Sequence, residues 1–560
     1  MNDDTSTSPS TLDHHQCLII QGIAISPGYA QGKIHHQKGL LGPIDAPLQD
    51  AKHNVEEEFA RLDLATAQIS NDLTILATRV EKEIDSHLAE VFGVHQLILE
   101  DRSLKEELKK EIVDNLMTAG SAVKRVFLRW EARFLLMESQ MAREKGDDLR
   151  DISIRLCNAL AGITSHPLEK IPENCILVTQ RLLPSDTVFL SSRSTAAVLL
   201  EYGTVGSHAS LFVRQLGIPC ISGITDISTR MSDEAIALVN GNTGELIVNP
   251  DRRMTVAFQK KVVDYTQAFK RARQQASIPA VTLDGVTIGV DANVGCNKDT
   301  CKAVKNGADG IGLYRLEQFY IGRTLPPSCD DLLAEMQHTL ESIKGQSVCV
   351  RLLDIGADKP IPFMDFMAES NPALGRRGIR FLCKYPELLH IQLQAILSLL
   401  ADYHVKILVP MVTLPEDVIF VKNALHKLCA LKNIAAPPQL GAMIETPAAA
   451  LSAKFIAPFV DFMSFGTNDL TQYAFAADRE NAAVESYYND ASDVIFRLIE
   501  LVHSDVPEMP LSICGELAGR KEYISRLLQS GISSVSVAAP LVPIIKETIR
   551  NVYNDPNGKC

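Results

Sequence analysis

The sequence predicts a multidomain α/β protein: an α/β domain with an inserted helical bundle, a linker helix, and a C-terminal (β/α)8 TIM barrel. Three observations carry that reading. The chain has 560 residues, whereas single cores stop growing at roughly 250–300 residues. Strand-like sequence with Gly and Pro turns lies on both sides of a stretch that repeats apolar residues at helical spacing. From 281 to 555, eight strand-like segments alternate with helix-like ones, the pattern of a (β/α)8 barrel.

In order, residues 1–17 form a polar tail expected to be disordered. Residues 18–43 and 167–250 make the α/β domain, with strands in CLIIQGIAISPGYAQGKIH, NCILVTQ, STAAVLLEYG, IPCISG and EAIALVNGNTGELIVNP. Between them, 44–166 is the bundle. Leu62, Ala65, Ile69, Leu73, Leu76 and Val80 recur every three or four positions, one buried stripe of a helix. Residues 251–280 form the linker helix, with Val256, Phe258, Val262, Val263, Tyr265 and Phe269 at helical spacing. At about 1.5 Å per residue it could span roughly 40 Å.

Composition excludes several classes. The net charge of −13 disfavours a nucleic-acid surface. No uncharged apolar run approaches the roughly 18 residues of a membrane span, and 1–15 lacks the basic and apolar regions of a secretory leader. Twelve cysteines without CxxC pairs argue against disulfides or structural zinc and fit a reducing cytoplasm.

Reactive side chains fall where a barrel's site lies, at the C-terminal ends of its strands. Arg315, Arg351 with Asp354, Glu445, Asn468 with Asp469, Cys514 and Glu516 close successive strands; Arg376, Arg377, Arg380 and Arg479 follow nearby. Alone, each has an ordinary reading: a surface ion pair, a helix cap, a small buried thiol. Together, arginines and paired carboxylates suit a polyanion with a divalent cation, because guanidinium groups bind phosphate and carboxylate in bidentate fashion and Mg²⁺ takes one or two carboxylates. His208 sits in a glycine-rich turn before a short amphipathic helix. Free N–H groups and the helix dipole there favour an added anion.

GTVGSHASLFVRQLGIPCISG resembles the phosphohistidine signature of phosphoenolpyruvate-utilising enzymes, and VDFMSFGTNDLTQYAFAADRE resembles their second signature. With GLYRLE, RLLDIGADKPIPFMDF, NPALGRRGIR, GAMIETPAAA, ICGELAG and the N-terminal IAISPGYAQGK, the likeness narrows to the Enzyme I family of the bacterial sugar phosphotransferase system, over about 18–552. The resemblance implies a swivelling domain whose His208 is phosphorylated through Nε2 by phosphoenolpyruvate. Arg315, Arg351, Arg377, Asn468, Asp469 and Arg479 would line the substrate site, and Glu445 and Asp469 would bind Mg²⁺. Cys514 would protonate the enolate to release pyruvate. The bundle would dock the histidine phosphocarrier protein HPr, and the barrel would form a homodimer.

Departures exist. Gly203-Thr204-Val205-Gly206-Ser207-His208 stands where the family reads Gly-Gly-x-Thr-Ser-His, losing one hydroxyl beside the histidine. Arg315-Leu316-Glu317, Ile355-Gly356-Ala357-Asp358 and Asp478-Arg479-Glu480-Asn481 also vary, without removing a proposed ligand. Two rival readings stay open. One is a dikinase or phosphoenolpyruvate synthase, for which an ATP-binding domain has no room; the other is a degenerate sensor without turnover.

Overall fold

The computed structural model describes residues 17–37, 55–83, 86–135, 140–163, 168, 171–183, 185–186, 189–190, 195–203, 208–320, 323, 325–356, 363–364, 369, 371–478 and 484–554. The chain divides into two compact units, 1–263 and 264–560. The tail expected to be disordered lies outside the described residues up to position 16.

The first unit contains a mixed eight-stranded sheet: β1 (Leu18–Gln21), β2 (Ile23–Ser26), β3 (Tyr29–His36), β4 (Ile176–Thr179), β5 (Ala197–Leu200), β6 (Cys220–Ser222), β7 (Ile236–Asn240) and β8 (Glu245–Val248). Its order is β1-β8-β7-β3-β4-β5-β6-β2. The two outermost strands are consecutive in sequence and separated by Gly22. That position tolerates no side chain, because a Cβ there would lie 2.6 Å from both Ile221 Cγ2 and the Ser222 carbonyl. β4 and β5 are buried at every position, and they pair in parallel, so they read as unbroken apolar runs.

β3 and β4 pair directly, yet the helical bundle lies between them in sequence: α1 (Val55–Glu83), α2 (Ser86–Glu100), α3 (Arg102–Asp114), α4 (Ala119–Leu135) and α5 (Gln140–Leu160). All six residues of the α1 stripe are buried, Leu73 and Val80 completely. Asp101 caps α3 by accepting from the Leu104 amide at 2.8 Å. The helix His208–Leu216 is divided between two cores: Phe212 joins the bundle's apolar cluster, while Val213 packs with Ile25, Leu177, Val198 and Cys220 against the sheet.

The helix Arg252–Gln274 follows. Phe258 is buried and Val262, Tyr265 and Phe269 are half-buried, but Val256 and Val263 are exposed. The working stripe is therefore narrower than the apolar spacing suggested. Phe258 meets Tyr29 edge-on, with ring centroids 5.5 Å apart.

The second unit is a closed barrel of eight parallel strands: β10 (Thr287–Val294), β11 (Ile311–Arg315), β12 (Ser347–Arg351), β13 (His404–Val409), β14 (Gln439–Ile444), β15 (Phe462–Phe465), β16 (Leu511–Ile513) and β17 (Ser534–Ala538). Closure is made by β10 pairing with both β11 and β17. A two-residue strand, β9 (Ala280–Val281), adds antiparallel to β10 and was not foreseen. Leu313, Cys349, Leu408, Met443, Phe462 and Cys514 form one apolar cluster.

Candidate active site

The barrel rim gathers charge from several strands. Arg351 ends β12 and is buried; its guanidinium lies 3.1 Å from Glu317, 3.3 Å from Asp354 and 4.0 Å from Glu445. Arg377, buried in the turn before the helix Ile379–Lys384, lies 3.0 Å from Asp354 and 2.9 Å from Asp469. Glu445 follows β14 and accepts from the Met411 amide at 2.8 Å. Asp469 sits in the first turn of the helix Thr467–Phe475 after β15. One carboxylate oxygen each from Asp354, Glu445 and Asp469 lies within 4.8 Å of the others.

Burial, then the facing charges of Asp469 and Asp354, push the Glu445 carboxyl up to about 8. Crowded carboxylates of this kind are stabilised by a positive centre among them. Their hard oxygen donors fit a hard divalent cation. The Arg351 Nε is buried without a hydrogen-bond partner among the described residues. Arg315, at the end of β11, makes no ion pair or hydrogen bond among the described residues. Arg315 is exposed to solvent; crowding by surrounding protein and the adjacent Arg351 charge push its guanidinium down.

Cys514 follows β16 and is buried. Burial pushes its thiol up to about 11, against the opposing pull of a hydrogen bond from Ser464. It therefore holds its proton throughout the physiological range. Asn468 accepts from the Glu516 amide at 2.9 Å, which ties the loops after β15 and β16 together. Arg380 donates to the carbonyls of Leu374 and Gly375 and to Thr413, fixing the turn that presents Arg377.

Three family models match: the PEP-utilising enzyme PEP-binding domain over residues 269–554, the PEP-utilising enzyme N-terminal domain over 21–145, and the PEP-utilising enzyme mobile domain over 171–244. A phosphoenolpyruvate-protein phosphotransferase of Geobacillus stearothermophilus is 32% identical over 93% of this chain and 91% of its own length. One of Haloferax volcanii is 33% identical over 88% and 86%.

The chain belongs to the phosphoenolpyruvate-protein phosphotransferase family.

Among solved structures, the NMR solution structure of Enzyme I (nEIt) aligns with 44% of this chain and 99% of its own, at 26% identity and a TM-score of 0.37, too low to bear on the fold. The PEP-utilising enzyme models divide the expected site residues as the two units do. Arg315, Arg351, Arg377, Glu445, Asn468, Asp469 and Cys514 fall in the PEP-binding match and belong to the barrel. His208 falls in the mobile-domain match, where it opens the helix His208–Leu216. Its side chain and Arg479 lie outside the described residues.

Two participants went unassigned in the sequence reading. Asp354 is a third carboxylate of the cluster, and Glu317 both pairs with Arg351 and accepts from the Asp354 amide at 2.8 Å. Their signal was present, since each lies two or three residues beyond an arginine that ends a strand. Arg377, expected to hold substrate, is engaged by Asp354 and Asp469.

Gly466 shapes this cluster by lacking a side chain. A Cβ there would come 2.6 Å from Glu445 Oε1. Gly466→Ala should displace that carboxylate and weaken divalent-cation binding roughly 10–100-fold, the range for disturbing a ligand's support. Calorimetric titration of the purified variant with Mg²⁺ and Mn²⁺ checks this.

Proposed function

We propose that this chain transfers the phosphoryl group of phosphoenolpyruvate to His208, releases pyruvate, and passes the group to a histidine of HPr. The observation that supports this best is the convergence of Arg315, Arg351 and the three acids on one barrel rim together with the buried thiol of Cys514. In this reading the barrel binds substrate and joins two copies into a homodimer. Residues 18–43 and 167–250 carry the phosphorylated histidine, 44–166 dock HPr, and 251–280 link the parts. The setting is cytoplasmic.

Arg315 has no ion-pair or hydrogen-bond partner among the described residues, so it is placed to meet the substrate's anionic groups. Arg351 contributes its Nε, unpaired among the described residues, while its other nitrogens stay with the acids; Asn468 adds to the cradle, and the family resemblance assigns Arg479 to the same task. Glu445 and Asp469 would hold Mg²⁺, with Asp354 beside them. Bound there, Mg²⁺ would neutralise phosphate charge that repels a nucleophile. A neutral imidazole is an adequate nucleophile near pH 7 without an activating base. His208 attacks phosphorus in line, the bond from phosphorus to the enol oxygen breaks, and the enolate takes the Cys514 proton on its methylene carbon.

The test is label transfer. The chain incubated with phosphoenolpyruvate labelled in its phosphate, plus Mg²⁺, should gain an acid-labile, base-stable phosphoryl group and pass it to added HPr. Chelation with EDTA should reduce labelling at least about 100-fold, the contribution expected of a metal that offsets several kcal/mol of charge. An unlabelled chain, or label arriving from ATP instead, would refute the reading.

A further inference from the structure

Cys514 is held from three sides, and among the described residues one side-chain hydrogen bond reaches its sulfur. Its amide donates to the Phe465 carbonyl at 3.0 Å, continuing the β15–β16 ladder. Its carbonyl accepts from Asn293 Nδ2 at 3.1 Å, and Asn293 is itself oriented by Ser536, whose Oγ donates to its Oδ1 at 2.6 Å. The backbone of Cys514 is thus fixed, and the side-chain torsion is the remaining freedom. Ser464, buried on β15, lies 3.7 Å from the sulfur with its hydroxyl donating, while the thiol itself donates to the Phe465 carbonyl at 3.5 Å. The other neighbours in this layer are apolar: Leu313, Leu408, Met443 and Phe462, with a second thiol at Cys349.

We propose that Ser464 is a positioning residue for proton delivery: its hydroxyl selects the Cys514 rotamer and holds the sulfur after the proton has left. The proposal rests on the reading of Cys514 as the acid. In that step the S–H bond breaks and a C–H bond forms at the methylene carbon of the enolate. The electron pair of the S–H bond stays on sulfur. Thiolate among Leu313, Met443 and Phe462 would be poorly solvated; the Arg351 and Arg315 charges favour it, and the Ser464 O–H is the side-chain hydrogen-bond donor at the sulfur among the described residues. The Ser464 proton stays on oxygen throughout, and the thiolate later recovers a proton from water.

The experiment reads the stereochemistry of protonation. Phosphoenolpyruvate carrying deuterium and tritium in defined positions at C3 is turned over in ordinary water, and the pyruvate methyl group is analysed for chirality. The wild-type chain should deliver the proton to one face and give chiral pyruvate. In Ser464→Ala the chirality should fall toward the racemic product of ketonisation in solution. Pyruvate formation should slow roughly tenfold, the worth of one lost hydrogen bond, with KM for phosphoenolpyruvate within about twofold. Ser464→Thr, which restores a hydroxyl, should recover both. Ser464→Ala giving chiral pyruvate at the wild-type rate overturns the proposal, as does a change confined to KM. Should Ser464→Ala not fold, Ser464→Cys carries the same comparison. Cys514→Ala separates the two claims. Loss of chirality there but not in Ser464→Ala removes Ser464 alone, whereas chiral pyruvate from Cys514→Ala removes the acid assignment itself.

Discussion

A chain carrying His208→Ala should take up no phosphoryl label from phosphoenolpyruvate, while still binding it at the barrel. The two halves of this expectation follow from where the groups lie. His208 opens a helix of the first unit, and the arginines and acids belong to the second. Removing the imidazole deletes the nucleophile and leaves the rim intact. Nucleophile deletions in cooperating sites cost on the order of 10⁶ in rate, so labelling should fall below detection. Phosphoenolpyruvate affinity, read by calorimetry in the presence of Mg²⁺, should stay within about threefold, because the charges that bind it are unchanged. A His208→Ala protein that labels as the wild type does would transfer the role to another residue. One that loses affinity along with labelling would show that the turn holding His208 also shapes the substrate site.

Replacing Arg351 should have the largest effect on stability among single changes at the rim. Its guanidinium faces Glu317, Asp354 and Glu445, all buried. Arg351→Met takes this cation from Glu317 and Glu445 and leaves Asp354 with Arg377 alone, and breaking a buried pair by removing one partner costs about 3–5 kcal/mol. Denaturant unfolding of the barrel should show that loss as a lower midpoint with unchanged slope. Arg351→Lys separates binding from folding. Lysine keeps the charge but cannot fork between Glu317 and Asp354, so most of the stability should return while pyruvate formation stays at least about 100-fold down, as for loss of a bidentate transition-state contact. Equal stability of Arg351→Met and wild type would mean the acids are protonated or otherwise compensated.

The architecture was legible because its signals are local. The eight barrel strands were read as strand-like segments alternating with helix-like ones, and each is present. The α1 stripe was legible for the same reason: a three-four repeat over six positions belongs to one helix face. The linker helix shows the limit. Val256 and Val263 fit an apolar spacing as well as Phe258 and Val262 do, and only the packing of Tyr29 on Phe258 selects one register.

The site was legible in its residue types and not in its pairings. Asp469 and Arg377 are 92 positions apart, and Asp354 and Glu445 follow different strands; nothing in local spacing says which acid takes which arginine. Glu317 was visible in the Arg-Leu-Glu triplet, but its hydrogen bond to the Asp354 amide crosses from the end of β11 to the end of β12. Ser464 was invisible as a partner of Cys514 because the two are 50 residues apart and meet only through the ladder of neighbouring strands.

Phe212 sits in the bundle's core and Val213, one residue on, in the sheet's. The segment that His208 opens is thus riveted to both of its neighbours at once. Neither neighbour can travel without taking that segment along, so whatever grips the outside of the bundle also sets where a donor or acceptor must approach. Grafting a foreign bundle onto this sheet would have to carry a matching socket for Phe212, or the rivet would come loose.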